Sequence, residues 1–123
     1  MRLLDVRTLT LTSYYDNIPR YAILSHCWEK EEVVFSDLSD LETAKTKRGF
    51  SKIGKTCAQA IKDGFDYCWI DTCCIDKSSS AELSEAINSM FDWYKNSGKC
   101  YAYLADVQGP EDFSRSKWFT RAW

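Results

Sequence analysis

Gly64-Phe65-Asp66-Tyr67-Cys68-Trp69-Ile70-Asp71-Thr72-Cys73-Cys74-Ile75-Asp76-Lys77 is the stretch on which the fold turns. Its apolar run, from Tyr67 to Ile70, breaks abruptly into an acid, two thiols and, after Ile75, a second acid and a lysine. A short apolar run bounded by turn and polar residues reads as a strand buried on both faces. A strand is therefore predicted from Tyr67 to Asp71, with polar groups gathered where it ends.

Two other runs share this grammar. Tyr21-Ala22-Ile23-Leu24 ends in Ser25-His26-Cys27-Trp28, and Cys100-Tyr101-Ala102-Tyr103-Leu104 ends in Ala105-Asp106-Val107. Between the first two runs, Phe50, Ile53, Cys57, Ala60 and Ile61 recur at helical spacing. They predict a helix from about Ser51 to Asp63, closed by Gly64 as a left-handed C-cap. After Lys77, Ser79-Ser80-Ala81-Glu82 has the form of a capping box. Leu83, Ala86, Ile87, Met90 and Tyr94 then trace one helix face, with Glu82, Glu85 and Asp92 off that stripe.

Strand, helix, strand, helix, strand implies an α/β domain, a mostly parallel sheet flanked by helices with right-handed crossovers. Leu9 and Leu11 alternate with Thr8, Thr10 and Thr12, the period of a half-buried strand, so an N-terminal edge strand is expected there. Residues 29–48 are charged and irregular, with Val33-Val34-Phe35 as a small strand or packed loop. In open α/β sheets ligands bind at the carboxyl ends of the strands. Those ends carry residues 25–28, residues 71–77 and Asp106, which are expected to converge on one rim.

Length and composition narrow the function classes. A chain of 123 residues suits one domain, and five Trp, seven Tyr and six Phe provide a core. A net charge of −2 gives no field favouring nucleic acid. Lys45, Lys47 and Arg48 form the main basic cluster, read as a solvated loop. No stretch has the length and apolarity of a signal peptide or membrane span, which predicts a cytoplasmic protein. Its six cysteines are accordingly expected as reduced thiols.

Several chemistries could occupy the rim. Structural zinc normally needs paired Cys-x2-4-Cys or His-x3-5-His units; Cys68-x4-Cys73 is the nearest approach, so no metal is expected. A Cys73–His26 nucleophile pair would need the two to meet across the rim. Ser25 with His26 is disfavoured because adjacent strand residues point to opposite faces. No glycine-rich phosphate loop is present. A phosphate could instead meet the amino end of the helix that begins near Ser79, with Lys77 beside it. Trp28 either stacks on a ligand ring or packs in the core. Asp71 either bonds a ribose hydroxyl or fixes the loop that follows it.

Four ordered motifs carry a family resemblance. Residues 21–28, Trp69 to Lys77, Glu82 to Met90, and Trp118-Phe119-Thr120-Arg121-Ala122-Trp123 together resemble the heterokaryon incompatibility (HET) domain of filamentous fungi, over residues 1–123. The resemblance implies an effector of nonself recognition and programmed cell death, distantly TIR-like (flavodoxin-like). It carries Ser25, His26, Trp28, Asp71, Asp76 and Lys77 as motif positions and candidate nucleotide-binding residues. It also implies NAD as a substrate, with no cofactor required, and cleavage assisted by a helical glutamate. HET domains usually place that glutamate after the Trp118–Trp123 motif, so the domain is expected to be incomplete and inactive at its C-terminus. Glu29 stands where many members have glycine. The alternatives are a non-enzymatic module that signals by self-association or through incompatibility partner proteins, and a thiol enzyme built on Cys73.

Overall fold

The computed structural model of the chain describes residues 1–107, Gly109, Asp112 and Ser116. The Trp118–Trp123 motif lies outside the described residues. Five strands form one sheet: β1 (Arg2–Asp5), β2 (Leu11–Ser13), β3 (Ala22–His26), β4 (Tyr67–Trp69) and β5 (Lys99–Tyr103). The helices are α1 (Leu41–Ala44), α2 (Phe50–Lys62), α3 (Asp71–Cys74) and α4 (Ser80–Asn96), with a 3-10 turn at Phe35–Ser39. The strand order is β2-β1-β4-β3-β5.

The sheet is mixed, which corrects the expectation of a mostly parallel one. Strand β3 runs parallel to both β4 and β5, as the three-strand reading requires. Strand β1 inserts antiparallel between β4 and β2, pairing Leu4 with Cys68 and Leu3 with Thr12. The predicted edge strand is displaced for a local reason. Asp5 Oδ1 accepts hydrogen bonds from the Arg7 and Thr8 amides at 2.8 and 2.9 Å, an Asx turn that breaks the chain. Leu9 then sits in left-handed backbone at φ 59°, and pairing resumes only at Leu11.

Strand β3 is buried at every residue. Its register aligns Ala22 with Cys68 and Ile23 with Trp69, so the two faces of the sheet can be assigned from these pairs. Helix α2 covers one face, turning Lys52, Ile53, Thr56, Cys57 and Ala60 inward. Helix α4 covers the other, where Trp93 and Tyr94 meet the fully buried Trp69 edge-on at 5.4 and 6.0 Å. The loops leaving the adjacent strands β3 and β4 therefore diverge to opposite faces. In open α/β sheets such a divergence marks where a ligand crevice is expected, at the carboxyl ends of the strands.

Helix α2 ends and α4 begins as their sequences predict, with adjustments inside. Gly64 has φ 86°, and Ser79 caps α4 by accepting from the Glu82 amide at 3.3 Å. Glu82 does not lie idle on a solvated face: its carboxylate pairs with Arg2 and accepts from the Asp76 amide at 3.3 Å. This ties β1 to the amino end of α4. On α4, Ile87 is 62% exposed and Phe91 77% exposed, whereas Trp93 takes the core position the stripe assigned elsewhere. The third run is not buried either. Strand β5 is the sheet edge among the described residues, with Lys99, Cys100 and Ala102 exposed and its two tyrosines half-buried.

Candidate functional site

His26 ends β3 at the crevice and points to the α2 face. Asp71 is two residues beyond β4, where the Cys73-Cys74 segment, expected as loop, forms the single-turn helix α3 with Ile70 as its N-cap. This turn places the Asp71 carboxylate against the ring. His26 Nε2 lies 2.7 Å from Asp71 Oδ1, and Trp28 Nε1–H donates to Oδ2 at 2.8 Å. Each carboxylate oxygen thus holds one ring N–H partner and keeps a lone pair for something else.

Lys77 completes the outer wall. Its ammonium donates to the Asp71 carbonyl and sits 4.5 Å from the centroid of the Trp28 ring. Trp28 as a residue is nevertheless 48% exposed, so it presents a partly open aromatic surface and is not core packing. Burial works to raise the Asp71 carboxyl, but hydrogen bonds from His26 and Trp28, then the charge of His26 when its ring is protonated and that of Lys77, outweigh it and hold it below the usual carboxylate range. Burial in turn lowers Lys77, against the pull of Asp71.

Behind the imidazole stands a pair that sequence reasoning missed. Lys52, from the inward face of α2, has a side chain only 5% exposed. Its ammonium reaches His26 Nδ1 at 3.0 Å, the Cys27 carbonyl at 3.1 Å and Glu32 Oε2 at 2.7 Å. Three donors meet three acceptors, which is what a buried ammonium needs. Glu32, equally buried, also accepts from the Glu29 amide at 3.0 Å. Gly49 makes this placement feasible: a Cβ there would stand 2.7 Å from Glu32 Cα and 2.8 Å from the Glu31 carbonyl oxygen. The missed signal was Lys52 itself, a charged residue one position before Ile53 on the apolar stripe.

The chain of contacts runs Glu32, Lys52, His26, Asp71, Trp28, Lys77, from a buried inner end at Glu32 and Lys52 to an exposed outer end at Trp28. A cleft of about 360 Å³, bordered by Glu29, Lys30, Arg48, Ser51 and Tyr103, opens onto Lys52. Of the predicted site residues, His26, Trp28, Asp71 and Lys77 are brought together. Ser25 is buried on β3, beside His26 in sequence and on the opposite face. Asp76 accepts from the Ser78 amide and hydroxyl at 3.1 and 2.6 Å, shaping the turn into α4. Asp106, expected on the rim, accepts from Ser116 at 3.0 Å.

Other readings of the rim lose their footing in these contacts. Cys73 is fully buried, and its hydrogen bond with Cys74 together with burial pushes its thiol well up, so it is no thiolate nucleophile. Both nitrogens of His26 are already engaged. The amino end of α4 has the Glu82 carboxylate in its first turn, where a phosphate would have to compete. Lys47 pairs with Asp37 at 2.7 Å, Arg48 with Glu31 at 3.4 Å and Lys45 with Glu42 at 3.8 Å, so the basic cluster is locally neutralised.

Comparison with known proteins places this geometry in a family. The model described as heterokaryon incompatibility protein (HET) matches residues 21–112, from the residue before β3 to beyond β5, and so includes every residue of this chain of contacts. Vegetative incompatibility protein HET-E-1 of Podospora anserina is 50% identical over 119 residues, covering 86% of this chain and 9% of that protein. The chain thus spans under a tenth of the length of this curated relative. No solved structure matches it. With a family match over well over half of its length and an identity of 50% to a named member, the chain belongs to the heterokaryon incompatibility (HET) family.

Proposed function

We propose that the chain serves in fungal heterokaryon incompatibility, as a module whose strand-end crevice takes a nucleotide and whose engagement leads to cell death. The 50% identity to a vegetative incompatibility protein is the observation that carries the role. Nucleotide chemistry is supported by the rim itself. Asp71 is an ionised carboxylate with a free lone pair on each oxygen, suited to a vicinal diol such as ribose, and Trp28 offers a ring face for stacking.

NAD is the proposed substrate, hydrolysed at the nicotinamide glycosidic bond: water forms the new bond to the ribose carbon and nicotinamide leaves. Asp71 binds and orients the ribose in this reading. A TIR-like relationship is consistent with the parallel β4-β3-β5 core and with helices wound to both faces. The test is to express the chain in a fungal host, scoring cell death and cellular NAD for wild type and Asp71→Asn. Loss of both in the variant supports the reading; full killing by a folded Asp71→Asn protein overturns it.

A second reading, signalling by self-association without chemistry, draws on Ile87 and Phe91. They stand one turn apart on α4, both exposed. Light scattering across a concentration series decides it: growth in mass that Phe91→Ser abolishes favours assembly, and a constant monomer mass removes it.

A further inference from the structure

Lys52 does more than neutralise Glu32. Its ammonium can only donate, so at 3.0 Å from the ring His26 Nδ1 must accept. The ring proton then belongs to Nε2, where it is donated to Asp71 Oδ1 at 2.7 Å. The opposite tautomer would set an N–H against an ammonium on one side and a lone pair against a carboxylate on the other. Glu32 lies 3.8 Å from Nδ1, beyond hydrogen-bond reach, and Lys52 stands between them in distance. An ion pair serving stability alone could sit anywhere in the core; this one terminates on the nitrogen that decides the tautomer.

We propose that Lys52, held by Glu32, is a positioning residue: it locks His26 as the neutral Nε2–H imidazole and thereby fixes Asp71 in its ligand-facing orientation. The functional half of this statement rests on the reading that Asp71 meets the ligand; the tautomer half does not. Each link has a geometric anchor. Glu32 is held by the Glu29 amide and by the close approach of Gly49. Lys52 is fixed by the Cys27 carbonyl, and Asp71 by Trp28 Nε1–H on its second oxygen. A neutral imidazole so held also leaves the carboxylate its full negative charge.

His26 is the sole histidine of the chain, so its ring nitrogens can be read without assignment ambiguity. The experiment is long-range proton–nitrogen correlation NMR on the full chain labelled with nitrogen-15 histidine, at neutral pH. The expected wild-type spectrum has a protonated Nε2 and an unprotonated Nδ1. Lys52→Met is expected to draw the two ring signals toward each other as the tautomers mix. A proton on Nδ1, or on both nitrogens, in the wild type overturns the proposal, as does a folded Lys52→Met chain with unchanged ring signals. If Lys52→Met does not fold, the wild-type spectrum alone decides.

NAD titration separates the two claims. Where the wild type binds NAD, Lys52→Met and Asp71→Asn are each expected to weaken it at least about tenfold, and undiminished affinity in Lys52→Met overturns the positioning role. Absence of NAD binding by the wild type counts against the nucleotide reading, while the ring signals still decide the tautomer lock.

Discussion

Two groups of charges that are neighbours in sequence behave in opposite ways. Lys45, Lys47 and Arg48 are conspicuous as a cluster, yet each is matched to a nearby acid at or near the surface, and Arg48 is 85% exposed. Lys52 stands alone among apolar residues, yet it anchors the chain of contacts from Glu32 to Asp71. Water screens the first group, so its pairs contribute little. It scarcely reaches Lys52 and Glu32, whose side chains are each 5% exposed, and an unmatched partner there would be costly. Isolation on a buried face, more than clustering, marks the charge that matters.

The largest effect should come from breaking the buried pair on one side. Lys52→Met leaves Glu32 ionised without its cation and should destabilise the fold by about 3–5 kcal/mol, read from the urea midpoint. The double variant Lys52→Met with Glu32→Met removes both charges and should recover part of that loss. About 1–3 kcal/mol should remain, because the Cys27 carbonyl and His26 Nδ1 lose their donor. Additive losses in this cycle would mean the two residues do not form one unit.

Gly49→Ala probes the same site without removing a charge, although the added Cβ would also stand 2.7 Å from Glu32 Oε1. The added Cβ meets backbone of Glu31 and Glu32, which cannot swing aside as a flexible side chain can. A loss of about 1–3 kcal/mol is expected from this overpacking. Full stability in the alanine variant would show that the approach of α2 to Glu32 has slack.

Asp71→Asn should act mainly through pH. The folded carboxyl is held below 3.8, its ordinary value, so between the two values the unfolded chain binds the extra proton. The stabilisation is present above pH 3.8 and drains away as pH falls toward the folded value. At neutral pH the variant should lose about 1.5–3 kcal/mol, the range for hydrogen bonds to a charged group. Its acid limb below about pH 4 should be flatter than that of the wild type. An unchanged acid limb would mean that Asp71 is not ionised against His26 and Trp28.

The legibility of the molecule followed the same division. Strands β3 and β4 and the helices between and after them could be read from apolar runs and helical spacing, because burial on both faces leaves a period. Strand β1 could not: Arg2-Leu3-Leu4-Asp5 is four residues with two apolar positions, too short for alternation, and its antiparallel direction has no local signature. His26, Trp28, Asp71 and Lys77 could be placed at one rim because they follow strand ends. Glu32 had no such mark, since its position depends on Gly49 packing from a different element. Lys52 was legible in principle, by asking what a lysine does among Ile53, Thr56 and Cys57 on one helical face.

The smallest effect belongs to the basic cluster, which the sequence already marks as a solvated loop. Arg48→Ala removes an Arg48–Glu31 pair at 3.4 Å in which the partner side chains are 85% and 53% exposed. Such a pair gains little in high dielectric and loses side-chain freedom when it forms, so stability should change by no more than about 0.5 kcal/mol. Arg48 also borders the cleft beside Lys52, which makes the variant informative beyond stability. If its charge only balances Glu31, the His26 ring signals should stay where they are in the wild type. Ring signals that move with Arg48→Ala, at unchanged stability, would show that the surface charges and the chain of contacts communicate, and the separation between the two groups would fail.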